Sequence, residues 1–205
     1  MIAMNPRHVP GLRILILAAG FSARLGQPKA LARIHGLSLL GRTARLLAPL
    51  SSLPLILVTP PRCSRYRHEL HGLDALLVAN PGRAAGLSGS LRLGVARARF
   101  SAATLIVPVD LAALERADVL RLAGRWRAAR RKIVARRIGA RGGTPLILPK
   151  RYYDLARYAR GDVGLRDLLR EVAADECIWV EMRSATRDID TPDDLKIARR
   201  AQIPR

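Results

Sequence analysis

Seven short apolar runs alternate with stretches of helical periodicity along almost the whole of this 205-residue chain. The runs fall at 13–17, 54–59, 75–79, 104–109, 133–137, 145–148 and 177–181. Between them, 39–50, 89–100, 116–130, 164–173 and 192–201 carry apolar residues at helical spacing. Parallel strands are buried on both faces and so read as nearly unbroken apolar runs, and they need helical crossovers to connect them. The order therefore predicts an α/β fold: a single-domain, Rossmann-like three-layer sandwich with a mostly parallel sheet and helices on both faces. There is no internal repeat or low-complexity segment to divide it. Residues 1–11 read as an N-terminal extension, its order left open, and 12–205 as the one domain.

The first run leads straight into LAAGFSARLGQPKAL, residues 17–31. A glycine at the end of a buried strand lets backbone N–H groups approach a ligand, and Arg24 and Lys29 add two fixed cations to the same loop. Close backbone with two cations suits a polyphosphate. The spacing matches neither the Walker loop nor the dinucleotide fingerprint. The plain alternative is a surface turn with two solvated charges.

Three further segments bear on that choice. The run 104–109 ends in Asp110, where an open parallel sheet binds its ligands and where a carboxylate can hold Mg²⁺ beside a phosphate. A helix N-cap is the competing reading of Asp110. The run 75–79 enters NPGRAAGLSGSL, in which Asn80 ends the strand, Gly82 and Gly86 open a loop, and Ser88 or Ser90 caps the next helix. An amide side chain and free backbone there suit a base and ribose. Near the C-terminus, RDIDTPDDL gives Thr191 as a cap and Asp193 and Asp194 as complements of a helix dipole. Capping explains Asp190 poorly and leaves it free to be a second metal ligand.

These elements, together with GARGGTPLILP and GDVGLRDLL, resemble in order the small nucleotidyltransferases of the NTP-transferase superfamily. Among those they are most similar to the molybdenum cofactor cytidylyltransferase type. The resemblance spans residue 13 to about residue 198. It implies the fold of the nucleotide-diphospho-sugar transferases, Mg²⁺ as cofactor, and transfer of CMP from CTP to the terminal phosphate of molybdopterin with release of pyrophosphate. It implies that Leu17, Ala18, Ala19 and Gly20 lie against the nucleotide and that Arg24 and Lys29 hold its β- and γ-phosphates. Asn80, Gly86 and Ser88 would seat base or ribose, and Asp110 and Asp190 would bind the metal. Gly143, Thr144 and Pro145, with Asp162, would face the acceptor. The family often has Gly-His-Pro where this chain has Gly143-Thr144-Pro145, and a proline soon after the metal Asp where it has Ala112 and Ala113. The loop reads Leu-Ala-Ala-Gly, as in cytidylyl-transferring relatives, and not Leu-Ala-Gly-Gly as in guanylyl-transferring ones. GTP, or another small phosphorylated acceptor, is the alternative within this class.

The formal charge of +20 favours anionic partners without choosing among them. A nucleic-acid module would use the run RWRAARRKIVARRIGARGG, but aromatic residues make up only 4% of the chain and stacking platforms need them. A non-catalytic cofactor carrier is the other class, with a molybdoenzyme or its maturation factor as protein partner. No apolar run reaches the roughly 18–20 residues of a membrane span, and no secretory signal is read at the start. Cys63 and Cys177 lack metal-ligand spacing and fit reduced thiols, so a cytoplasmic location is expected. His68 and His71 lack a third ligand, and Trp126 and Trp179 read as packing residues.

Overall fold

The computed structural model describes residues 8–82, 86–138, 141–159, 165–182, 184 and 188–201. Its main sheet has seven strands: β1 (Leu12–Leu17), β4 (Leu55–Thr59), β5 (Ala75–Ala79), β6 (Ala103–Pro108), β7 (Ile133–Ile138), β8 (Arg141–Pro149) and β9 (Cys177–Val180). A two-stranded hairpin, β2 (Arg33–Ile34) and β3 (Leu37–Ser38), stands apart. The helices are α1 (Leu39–Leu47), α2 (Ser64–Glu69), α3 (Leu87–Arg97), α4 (Arg116–Ala128), α5 (Tyr153–Tyr158), α6 (Leu165–Leu168) and α7 (Pro192–Arg200).

Strand order is β5-β4-β1-β6-β8-β7-β9. The β1–β4, β4–β5, β1–β6 and β7–β9 pairs are parallel, and β8 runs antiparallel to both β6 and β7. From β1 the chain moves outward to β4 and β5, then returns to place β6 on the other side of β1. That reversal creates a switch point between the carboxyl ends of β1 and β6, the place where open α/β sheets form ligand crevices.

The pleat divides each central strand between two cores. Ile14 and Ile16 of β1, Leu55 and Leu57 of β4 and Leu105 and Val107 of β6 face α1, α2 and α4. Leu15, Leu17, Ile56, Val58 and Ile106 face α3, α5 and α6. The three-layer sandwich expected from the alternation is thus present. Trp126 is fully buried in the first core, its indole N–H donating to Arg130 O at 3.1 Å. Val9 is also buried, with its N–H bonded to Leu50 O at 2.9 Å.

Several local expectations are corrected. Neither Ser88 nor Ser90 caps α3. The helix starts at Leu87 behind Gly86, whose φ of 93° favours glycine, and both serines lie within the first turns. The stretch 39–50 ends its α-helix at Leu47 and closes with a 3-10 turn over Ala48–Leu50, which holds Pro49. The stretch 164–173 gives only the short α6, and residue 164 lies outside the described residues. The run at 145–148 is the end of a nine-residue strand. Among the described residues, no helix is long and apolar enough to cross a membrane.

Helix α3 lies close on β1 because of Gly94. A Cβ at Gly94 would come within 2.4 Å of Leu15 Cδ1, in a fully buried part of the second core. Gly94→Val is therefore expected to lower unfolding free energy by about 1–3 kcal/mol, the usual cost of overpacking. Urea unfolding measures it, and an unchanged midpoint would show that α3 can move off the sheet at no cost.

Candidate active site

The β1–β6 register sets the centre of the site. Leu17 pairs with Pro108, and Val109 N–H donates to Leu17 O at 3.3 Å, so the loop after β1 and the carboxylate after β6 leave the sheet side by side. Their residues line one cavity of about 140 Å³: Leu17, Ala18, Ala19, Gly20, Lys29 and Asp110, with Ser90 of α3 closing the other side. Six positions picked from separate motifs, or from one loop, thus meet around one space. The Ala18 N–H is committed to Val58 O at 2.9 Å. At Gly20, a Cβ would meet no atom within 4 Å, so the backbone borders open space there.

Local geometry turns the loop back on itself. Ser22 (φ 55°) and Gly26 (φ 71°) are both left-handed and bound a short 3-10 turn, Ala23–Leu25. The Lys29 N–H then donates to Ser22 Oγ at 2.9 Å, and the closed loop sends the lysine side chain toward the end of β6. Ser22 lay inside the motif without a role assigned from sequence. Its side-chain bond to a residue seven positions on was its hidden signal.

Lys29 Nζ donates to Asp110 Oδ2 at 2.9 Å and to Asp190 Oδ1 at 2.7 Å. Arg24 Nη2 donates to the other Asp190 oxygen at 2.8 Å. The lysine side chain is only 14% exposed, whereas Arg24 is 71% exposed, so the two cations are not equivalent. Burial pulls the Lys29 ammonium down, but the two carboxylates outweigh it and hold its pKa above the ordinary lysine value. The hydrogen bond from Lys29 is the main cause that depresses the Asp190 pKa, with Arg24 adding to it against partial desolvation.

Helix α7 explains how Asp190 is presented. Thr191 caps α7 through its side chain, and Asp194 completes the capping box by accepting from the Thr191 N–H. Asp194 also accepts from the Asp190 N–H at 3.1 Å. The neighbours do the capping, and the Asp190 side chain is left to face the loop. Asp110 does not cap a helix: the chain turns after it, and α4 begins at Arg116 behind Glu115. The backbone carbonyl of Asp110 accepts from Ile189 N–H at 3.0 Å, which ties the two acidic segments together.

One oxygen of Asp110, Oδ1, is shielded from solvent and accepts no hydrogen bond. A carboxylate oxygen in that state suits a hard cation. Mg²⁺ commonly takes one or two carboxylates and completes its shell with water and substrate phosphate oxygens. Asp110 and Asp190 fit that donor set. Among the described residues, no group of three or more His, Cys, Asp and Glu side chains could hold a metal by itself.

The remaining expected residues are placed less centrally. Asn80 is buried and its Nδ2 donates to Ser90 Oγ at 2.9 Å, so its amide fixes the start of α3 against the β5 loop. It also lines an open cavity of about 480 Å³ with Gly82, Gly89 and Arg92. Ser88 is buried with its hydroxyl unpartnered, and Gly86 supplies the bend before it. Gly143, Thr144 and Pro145 lie in β8, where the antiparallel register carries them toward the carboxyl end of β6. They lie at the same end of the sheet as Asp110 but do not line the loop cavity. Asp162 lies outside the described residues.

Two residues not singled out from sequence belong beside the site. Asp188 is exposed, yet partial desolvation and the neighbouring Asp110 raise its pKa, with Arg136 opposing and Asp190 adding. Arg136 is itself buried, and its Nη1 lies 3.5 Å from Thr144 O.

The model of the MobA-like NTP transferase domain family matches residues 14–177. A bifunctional IPC transferase and DIPP synthase from Thermococcus kodakarensis is 40% identical over 85 residues, 40% of this chain and 20% of that protein. The chain thus matches about a fifth of that relative's length. Among solved structures, a nucleotidyl transferase from Methanothermobacter (Mth528) superposes with a TM-score of 0.75 at 22% identity, over 92% of this chain and 96% of its own. The manganese complex of Rv0371C from Mycobacterium tuberculosis superposes with a TM-score of 0.70 at 23% identity, over 93% and 98%. At these identities the structures show the fold.

The bridge has a pH signature. The raised Lys29 pKa contributes stability that is fully present below about 10.4, the unfolded lysine value, and is lost as pH rises through the folded one. The depressed Asp190 pKa contributes stability present above about 3.9 and lost as pH falls through its folded value. The Tm gap between the wild-type chain and Lys29→Met should therefore be flat near neutrality and shrink at both extremes. A gap that is constant from acid to alkali would contradict the bridge.

Proposed function

The chain belongs to the MobA-like NTP transferase family, and from that premise we propose that it moves CMP from CTP to the terminal phosphate of a molybdopterin-type acceptor. That it is a nucleotidyltransferase using a nucleoside triphosphate follows from the family. The CTP, the acceptor and Mg²⁺ are the proposed part. The observation that carries the reading is the Lys29 ammonium held between Asp110 and Asp190 at the mouth of a glycine loop.

A phosphate oxygen of the acceptor attacks the α-phosphorus of the triphosphate in line. The bond from that phosphorus to the bridging oxygen breaks, and pyrophosphate leaves with the electron pair. The attacking group is already an anion near neutral pH, so no general base is required. The obstacle is repulsion between a phosphate monoester and a triphosphate, and it calls for positioned positive charge. Lys29 and Arg24 are the cations that can turn from the carboxylates to the β- and γ-phosphates. Asp110 and Asp190, released by that turn, would hold Mg²⁺. Bound there, the metal would supply charge neutralisation for the substrate phosphates. Ala19 and Gly20 would offer close backbone, and the Asn80–Ser90 bond fixes the loop that would border the base.

The Ala19 methyl, in a Leu-Ala-Ala-Gly loop, supports CTP over GTP. Thr144, standing where relatives carry histidine, favours a second reading in which the acceptor is another small phosphorylated compound.

Pyrophosphate release with molybdopterin and Mg²⁺, compared for CTP, GTP, ATP and UTP, tests the assignment. CTP is expected to turn over alone, and Asp110→Ala to abolish release. A GTP preference would keep the chemistry and change the product; silence with all four would reject the acceptor. Lys29→Ala should lower turnover by about 10²–10³-fold, as loss of one preorganised charge does. Its unfolding midpoint should fall only by the modest contribution of the bridge, far less than the loss of turnover. Parallel losses in both would make Lys29 a structural residue.

A further inference from the structure

Among the described residues, Asp118 is the one carboxylate that is buried, and the chemistry above leaves it unused. It lies in the first turn of α4 and is 3% exposed. An acidic or amide side chain at that place often reaches back to the N–H that opens its own helix. Here the hydroxyl of Ser184, 66 residues further on, stands between the two. Glu115 N–H donates to Ser184 Oγ at 3.0 Å, and Ser184 Oγ donates in turn to Asp118 Oδ2. The same carboxylate oxygen accepts from Ser184 N–H at 3.1 Å. Arg121 Nη1 completes the group, donating to Asp118 Oδ1 at 2.7 Å and to Glu181 O at 2.9 Å. The chain beyond β9 is thus built into the cap of α4.

The two segments joined in this way carry Asp110 and Asp190. The loop after β6 runs from Asp110 to Glu115, and Ser184 precedes Asp190 on the other segment. A second tie lies nearer the carboxylates, where Asp110 O accepts from Ile189 N–H at 3.0 Å. Ile189 is buried there in one small core with Ala112, with Leu25 of the loop after β1 and with Leu195 of α7. One backbone bond alone is a pivot about which the segments can turn. The tie at Ser184 removes that freedom. We propose that Asp118 is a positioning residue, which acts through Ser184 to fix the separation of the Asp110 and Asp190 carboxylates so that one divalent cation can bridge them. This rests on the metal role proposed above for those two groups. Partners that orient metal ligands without touching the metal typically change its affinity by about 10–100-fold. A buried carboxylate whose hydrogen bonds all go to this junction is suited to that task.

Mn²⁺ titrated by electron paramagnetic resonance into the full chain reads the separation without turnover. Lys29→Met is the parent, because its ammonium no longer competes for the carboxylates. In that parent, Asp118→Ala and Ser184→Ala should each weaken Mn²⁺ binding by about tenfold or more. Combining them should cost no more than either alone, since both break the same tie. Ser184→Thr, which keeps the hydroxyl, should bind as the parent does. Gly94→Val, overpacked in the second core, should lose stability in urea yet keep its Mn²⁺ affinity. Unchanged affinity in Asp118→Ala would overturn the proposal. Equal weakening in Gly94→Val would also overturn it, by marking a general loosening of the fold. If Asp118→Ala fails to fold by circular dichroism, Ser184→Ala decides alone. No Mn²⁺ uptake by the Lys29→Met parent would instead remove the metal role of Asp110 and Asp190, and the proposal with it.

Discussion

A single ammonium group joins three distant parts of the chain. Lys29 arrives on the loop after β1, Asp110 on the end of β6, and Asp190 on the segment before α7, at separations of 81 and 161 residues. Half-buried ion pairs of this kind add little net stability, because desolvation consumes much of the Coulomb gain. Their value here is in position. On the proposed function, the same lysine that neutralises two carboxylates would meet the negative charge of a triphosphate, and substrate binding would be an exchange of anionic partners.

The sheet makes that convergence possible. Because β4 and β5 lie to one side of β1 and β6 to the other, the carboxyl ends of β1 and β6 face each other across the switch point. The alternating pleat fills both faces with apolar side chains and fixes the register, since a one-residue slip would send each strand's two faces to the wrong cores. Leu17 opposite Pro108 is the consequence that matters for chemistry. The C-terminal segment is then tied on by the Ile189–Asp110 backbone bond and by the capping box at Thr191.

Much of this was legible beforehand because it rests on periodicity and on one contiguous loop. The apolar runs announced all seven strands of the main sheet, and the β1 loop singled out residues that the structure places around one cavity. The hairpin 33–38 was invisible because its strands are two residues long and its turn is His35-Gly36, both left-handed at φ 50° and 83°, without the usual Asn-Gly or Asp-Gly signal. Helix α2 is too short to show a period. The extension of β8 was hidden by Gly142 and Gly143, residues disfavoured in strands. The structure shows why one is needed: a Cβ at Gly142 would fall 1.9 Å from the Trp179 ring. Lys29, Asp110 and Asp190 were each identified singly. Their shared bridge was not, because pairing across such separations is decided by topology.

The account requires the lysine and a divalent cation to compete for the same two carboxylates. Titrating Mn²⁺ into the nucleotide-free chain by electron paramagnetic resonance measures this directly, in wild type and in Lys29→Met. The bridge predicts weak Mn²⁺ binding by the wild type and binding tighter by about tenfold or more in Lys29→Met, as expected when a neighbouring unit charge is removed from a partly buried site. Binding that is unchanged or weaker in Lys29→Met would show that the carboxylates do not form the metal site the ammonium now spans.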